Sequence, residues 1–282
     1  MIVDCFPFCD ELDLLQIRLE ELSGVVDRFV LAEARCSFRG KPKPLYFQEN
    51  TARFEPFLHK IEHLVVEFPE TDDGWVREDY QRNALKRALE NLPADASVFI
   101  SDVDEIFRSS AMLEAAARSK FTFIELDLYL YFMNVRRVAP KWLKAYCAPA
   151  GEISAMDNLS LPRWQEHGYL QHCNLPPDSI VKDGGWHFSW LGGLPGVIKK
   201  LETTNHTEMR PWLERTTEIA AEVTKSDRFF LTGEKLENVG VEELPRAVRG
   251  HLRHLERAGW WWKPKPWYRR LGRLASRAGA QQ

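Results

Sequence analysis

Apolar and polar positions change period several times along the chain, and each change marks an element. Residues 1–6, MIVDCF, read as a strand. Between Cys9 and Leu22 the apolar positions Leu12, Leu15, Leu19 and Leu22 recur every three or four residues, the period of an amphipathic helix. Residues 25–34, VVDRFVLAEA, form an apolar run suited to a strand covered on both faces. Residues 60–68 give a third strand, residues 75–92 a long helix rich in Arg and Glu, and residues 96–101 a fourth strand ending at Asp102. A helix over 110–119 and a strand over 121–134 follow. Strands alternating with helices predict a parallel sheet with helices on its faces, an α/β fold.

Beyond Asn134 the pattern weakens. Pro, Gly, Trp and His are frequent up to about Trp190, which predicts a loop-rich part with shorter strands, a fitting place for an acceptor site. Helices are expected over 196–203 and 209–225.

Composition narrows the classes. The chain has 282 residues, and an apolar fraction of 44% supports a sizeable core. Ten tryptophans either fill that core, the expectation for most, or form platforms for sugar rings. The net charge of -3 argues against the broad basic face of a nucleic-acid-binding domain. Five cysteines occur without a CxxC pair, so no zinc site is indicated. Free thiols in a reducing compartment are expected, with a Cys5–Cys9 disulfide the lesser alternative. Residues 1–9 lack the basic start of a secretory signal, and no apolar run approaches membrane-spanning length. A cytoplasmic location is expected.

In an α/β sheet, ligands bind at the carboxyl ends of the strands. Two of these ends are polar, at Glu33 to Arg35 and at Asp102 to Glu105. In VFISDVDEI an apolar strand runs directly into acids. Asp102 and Asp104, two apart on an extended segment, point the same way. Such a pair repels itself unless a hard cation such as Mg²⁺ or Mn²⁺ lies between, and that ion also grips phosphates. The alternative is a turn of solvated acids. A DxD phosphatase is a further rival, although Glu105 and Ile106 stand where such enzymes carry Gly-Thr or a close variant. Arg82, in WVREDYQRNALKRAL, is directed towards the strand ends, where its planar fork suits phosphate or carboxylate. Arg77 and Lys86 read as solvated charge. In DGGWHFSW the glycines suggest backbone passing close to a ligand, followed by a strand. His187 there is either a metal ligand or a packed core histidine. In KKLETTNHTEMRPW, Thr207 or Asn205 is a candidate helix cap. Glu208, in the first turn, serves either the helix dipole or catalysis as a base.

The stretches ELDLLQIRLEEL, VVDRFVLAEA, GKPKPLYF, WVREDYQRNAL, ISDVDEI, GGWHFSW and KKLETTNHTE, in this order from Phe6 to Glu208, resemble glycosyltransferase family 17. The resemblance implies a GT-A-type nucleotide-binding sheet, UDP-GlcNAc as donor, a divalent metal and inversion at the anomeric carbon. It places Asp102 and Asp104 as the DxD, the last on the metal and the first near the donor's ribose, with Arg82 and Asn83 as the Arg-Asn pair preceding it. It also places Glu33 near the uridine and Glu208 as the base. Phe107 stands where the family usually has proline, which bears on the loop after the DxD. Animal members carry a membrane anchor, so a surface polysaccharide or lipid-linked glycan is expected here instead of an N-glycan. An inactive transferase fold that only binds carbohydrate is the alternative of a different class.

The mechanism expected is a single displacement. The metal and Arg82 hold the diphosphate, and Glu208, or Asp183 as second choice, removes the acceptor proton. Residues 1–245 are expected to form the transferase domain, with a donor half to about 135 and an acceptor and catalytic half after it. Residues 246–282 are set apart as a basic, aromatic tail. Trp260 to Trp262, Trp267 and Tyr268 interleave with Lys263, Lys265, Arg269, Arg270 and Arg273. That pattern suits peripheral contact with anionic lipid at the inner face of a membrane, or else a packed helix followed by a ragged end.

Overall fold

The computed structural model describes residues 1–164 and 179–263. Its strands are β1 (Ile2–Phe8), β2 (Arg28–Ala34), β3 (Ile61–Val66), β4 (Ser97–Ile100), β5 (Glu105–Phe107), β6 (Thr122–Leu130), β7 (Val135–Arg137), β8 (Trp142–Pro149), β9 (Ile180–Val181), β10 (Gly185–Ser189) and β11 (Leu236–Asn238). The helices are α1 (Leu12–Leu22), α2 (Tyr46–Glu49), α3 (Gly74–Asn83), α4 (Ser109–Arg118), α5 (Ala150–Ala155), α6 (Leu161–Trp164), α7 (Gly193–Thr203), α8 (Thr216–Lys225) and α9 (Arg246–Arg257).

The four strands expected at the start of the chain lie together in the order β3-β2-β1-β4, all parallel. Side chains of β1 alternate between two cores. Ile2, Phe6 and Phe8 join the cluster that also holds Leu15 and Leu19 of α1. Val3 and Cys5 join the one beneath Leu85 and Leu89. Both faces are covered, which is why β1, β2 and β4 are mostly apolar, whereas β3, at the sheet edge, carries Glu62 and His63 and is buried only at Val66. The α/β class agrees with expectation.

The second half departs from the sequence reading. β8, in the part expected to be loop-rich with shorter strands, is an eight-residue strand inserted antiparallel between β4 and β6. Its first three residues are only partly buried, and prolines flank it, so the local pattern masks a central strand. The strand expected over 121–134 stops at Leu130. Tyr131 takes φ 70°, and its hydroxyl accepts from the Phe230 amide at 2.7 Å. The helix expected over 75–92 is α-helical only to Asn83 and continues as a 3₁₀ helix over Ala84–Leu89. Met209 lies in a 3₁₀ segment, Thr207–Arg215, that contains Pro211 and precedes α8.

The expected boundary at residue 245 falls inside packed structure. α9 lies on α1, with Val248 and Leu255 fully buried and His254 bonded to Asp13. Trp260 and Trp261 pack in the same cluster, while the Trp262 amide donates to the Asn134 side chain at 2.8 Å. Trp267 and Tyr268 lie outside the described residues, as does Cys173. Cys5, Cys9, Cys36 and Cys147 are free thiols. No helix among the described residues is long and apolar enough to cross a membrane.

Candidate active site

β4 ends in Ser101, and the chain turns through Asp102, Val103 and Asp104 into β5. Arg18 of α1 holds this turn from beneath. Its guanidinium pairs with Asp4 at 2.5 Å and donates to the Asp102 carbonyl at 2.9 Å, the Glu105 carbonyl at 2.7 Å and the Ser101 hydroxyl at 2.7 Å. Glu105, buried, accepts from the Asp102 amide at 2.8 Å. The turn is therefore fixed at its carbonyls, its amide and its flanking side chains.

The two aspartates have different surroundings, contrary to the expectation that both face one cation. Asp102 is taken up by arginines: Arg82 Nη1 reaches Oδ1 at 2.6 Å and Arg163 Nη2 reaches Oδ2 at 2.6 Å. Burial alone would raise its pKa, but the Arg163 and Arg82 charges outweigh it and hold the carboxyl far below the usual carboxylate range. Asp104 pairs with no Arg or Lys among the described residues. Its Oδ2 lies 3.4 Å from His187 Nε2.

Glu105 links the two environments. Arg163 grips it with two bonds, at 2.8 and 3.0 Å, and Trp142 Nε1 donates to it at 2.5 Å. The Trp142 ring lies 4.4 Å from the His187 ring. A circuit thus runs Asp102–Arg163–Glu105–Trp142–His187–Asp104. β10 brings His187 opposite Glu105, between β5 and β6. The two glycines before it serve this approach and not a ligand: a Cβ at Gly185 would collide with the Ile106 carbonyl, and one at Gly184 with Ile124.

The expected trio of metal ligands is not assembled, since no three acidic, His or Cys groups converge to hold a metal ion among the described residues. Asp104 and His187 remain as a pair of donors. Two protein ligands fit a cation that takes its other ligands from diphosphate and water, as Mg²⁺ commonly does. His187 Nδ1 is buried without a partner among the described residues. Metal-bound histidines usually donate from their second nitrogen, so His187 is the weaker member of the pair.

The other predicted residues divide into those brought to the turn and those that are not. Arg82 is brought there, but it is 2% exposed and also bonds Glu78 at 2.9 Å and Ser160 at 3.2 Å. It positions Asp102 and leaves no open fork for a diphosphate. The Asn83 side chain donates to the Asp79 carbonyl and to Asn158, and accepts from the Leu159 amide at 2.9 Å. It therefore fastens the loop that carries Ser160 and Arg163. Glu33 is closed off by Lys43, His63 and the Phe47 amide. Asp183, at φ 51°, pairs with Arg108 at 3.3 Å, just beyond the end of β5 opposite to Asp104. Four residues of extended chain put these acids on the order of 10 Å apart.

Glu208 lies at the rim. Its carboxylate is exposed and accepts from His206 Nδ1 at 2.6 Å. Its segment docks on the start of α3 through Asn205, which donates to the Gly74 carbonyl and to Glu78, each at 3.1 Å. A Cβ at Gly74 would collide with the Asn205 side chain, so the docking requires glycine there. The expected helix caps do not form: neither Thr207 nor Asn205 accepts from a helix amide.

Sequence reasoning missed Arg18, Arg163, Trp142 and Glu11. The Glu11 carboxyl accepts the Cys9 and Asp10 amides at 3.0 and 2.9 Å. Burial raises its pKa, and the charges of Asp10 and Asp104 push it the same way.

In open α/β sheets ligands bind beyond the carboxyl ends of the strands, where the acidic turn after β4 lies. Residues 1–209 match the profile of glycosyltransferase family 17, and the chain belongs to that family. It is similar to the β-1,4-mannosyl-glycoprotein 4-β-N-acetylglucosaminyltransferases of Rattus norvegicus, at 26% identity, and Homo sapiens, at 27%. Each match covers 75% of this chain and 44% of the relative, so the chain spans less than half of their length. Among solved structures it is similar to glucosyl-3-phosphoglycerate synthase from Mycobacterium tuberculosis, at 9% identity and a TM-score of 0.36, covering 88% of this chain and 91% of that one. A second is 2-C-methyl-D-erythritol 4-phosphate cytidylyltransferase from Francisella tularensis, at 12% identity and a TM-score of 0.37, covering 65% and 90%.

Proposed function

We propose that the chain is a metal-dependent, inverting glycosyltransferase that moves N-acetylglucosamine from UDP-GlcNAc to a hydroxyl of a glycan. The observation that carries this is Asp104, an acid without an Arg or Lys partner among the described residues, held at a strand end in a family 17 chain. Asp104, with His187 beside it, would hold Mn²⁺ or Mg²⁺, which supplies positive charge to the diphosphate leaving group. Arg18, Arg82 and Arg163 fix the turn so that Asp104 keeps its place. The acceptor oxygen attacks the anomeric carbon from the face opposite the diphosphate. As the new C–O bond forms, the bond to phosphate oxygen breaks, and the electron pair leaves with UDP. Glu208 takes the acceptor proton and must come within about 3 Å of that oxygen. Its segment is tied through Asn205 and Glu78 to Arg82 at the turn, which favours it over Asp183, beyond the far end of β5.

A phosphatase would need Asp102 as nucleophile. With both of its oxygens held by arginines, that residue is unsuited to the role. The glycan is proposed to be lipid-linked, with the basic residues after Lys263 meeting anionic lipid.

The test is UDP release from UDP-GlcNAc with Mn²⁺, with and without saccharide acceptors. Asp104→Asn should lose turnover while keeping the wild-type melting temperature. Full activity of that variant in excess chelator would overturn the metal reading. Saccharide binding without any donor turnover would instead indicate a carbohydrate-binding protein on this fold.

A further inference from the structure

The tryptophans separate into two groups. Of the ten, Trp267 lies outside the described residues. Every other one packs into a hydrophobic cluster except Trp75 and Trp164. These two meet each other edge to face at 6.2 Å, and His206 meets Trp75 edge to face at 4.7 Å. Trp164 is 44% exposed. Three separate parts of the chain thus bring aromatic rings to one place outside the core.

That place adjoins the acidic turn. Trp164 directly follows Arg163, which grips Asp102 and Glu105. Trp75, Glu78 and Arg82 recur at helical spacing on α3, so they share a face. Seven residues of helix put Trp75 about 10 Å along the axis from Arg82. Asn205 bonds Glu78, and Glu78 bonds Arg82, so the segment carrying His206 and Glu208 is tied to the same frame. Exposed indole faces take the apolar C–H face of a sugar ring, while nearby carboxylate and imidazole groups bond its hydroxyls.

We infer that Trp164, Trp75 and His206 form the acceptor subsite, a platform on which a saccharide ring lies with its reactive hydroxyl directed at Glu208 and the donor. The inference rests on the transferase reading and adds the substrate's chemical class and position to it. Trp164 supplies the open face. Trp75 and His206 brace it, and His206 also orients the Glu208 carboxylate.

The test compares full-length wild type, Trp164→Ala and Trp164→Phe. UDP binding with Mn²⁺ and binding of mannose- and N-acetylglucosamine-terminated oligosaccharides are measured by calorimetry, after melting curves confirm folding. Trp164→Ala should weaken saccharide binding about tenfold, Trp164→Phe less, with the UDP affinity of wild type retained in both. Saccharide affinity unchanged in Trp164→Ala would overturn the subsite. So would wild type that binds UDP but no saccharide of the panel, while the donor reading survived. Wild type that binds saccharide through Trp164 but neither binds nor turns over a nucleotide sugar would support the platform and sink the transferase reading.

Discussion

Asp102 and Trp164 are linked through a single residue, Arg163, yet their surroundings are built by opposite rules. Around Asp102 the groups are charged and paired: Arg82, Arg163, Glu105, Arg18 and Asp4 form bonds of 2.5 to 3.0 Å, and all of these but Asp102 are buried. Around Trp164 the groups are aromatic and open, and the acid, Glu208, is exposed. Buried ion networks hold one geometry, because any misplaced charge is left uncompensated in low dielectric. Open aromatic faces tolerate a range of ligands. The first suits a turn that must present Asp104 invariantly, and the second suits an acceptor.

The comparison breaks most sharply at Arg163. Arg163→Ala would leave Asp102 and the buried Glu105 short of a partner, and removing one member of a buried pair costs about 3–5 kcal/mol. Urea unfolding should show a loss of that size, together with loss of UDP binding. A loss below about 1 kcal/mol, the range of a surface pair, would mean the network is not what holds the turn.

At Gly74 the two environments meet. Gly74→Ala sets a methyl group against the Asn205 side chain and should push the 205–208 segment away from α3. Overpacking of this kind costs about 1–3 kcal/mol. The expected result is a fall in transfer to saccharide acceptors with UDP affinity kept. Loss of UDP affinity instead would show that the rim and the turn are one unit and that the contrast between them is false.

How far this was legible in the sequence follows the same division. β1, β2 and β4 were readable because short apolar runs suit strands covered on both faces, and Asp102 and Asp104 were readable because a strand delivers them. Arg18 left a usable signal, a charge beside the Leu15, Leu19 and Leu22 stripe. Arg163 left none: it lies 61 residues from Asp102 in a stretch without a regular period, and only the insertion of β8 brings it back. Arg82 was expected at the turn, but a single sequence does not show that Asp102, Glu78 and Ser160 fill its guanidinium. Glu33 was seen at a strand end, where residues 43–47 close over it.

A half-exposed ion pair gives the scale for the buried network. Burial would raise the pKa of Asp13, but the hydrogen bonds from Arg53 and His254 outweigh it, so its folded pKa lies below the ordinary value. For a carboxyl depressed in this way, the stabilisation is complete above the unfolded value of about 3.9 and fades as pH falls through the folded one. Solvent screening limits it to about 0.3–1 kcal/mol. Between pH 5 and pH 3 the wild type should therefore lose slightly more stability than Asp13→Asn in urea titrations. Equal losses would remove Asp13 as a contributor.

The smallest effect on the chemistry is expected from the end of the chain. Val248 and Leu255 are fully buried and Trp260 to Trp262 are docked, so a truncation at residue 245 removes core and should unfold the protein. A truncation after Lys263 removes no described packing. It does remove Lys265, Arg269, Arg270, Arg273 and Arg277, in a segment that contains no acid. Juxtamembrane cations attract anionic lipid by about 1 kcal/mol each, and salt weakens the attraction. The shortened protein should keep its melting temperature and its turnover of soluble saccharides, but lose co-sedimentation with phosphatidylserine vesicles. Identical sedimentation of both forms would end the membrane proposal, and the platform at Trp164 would then have to take its acceptor from solution.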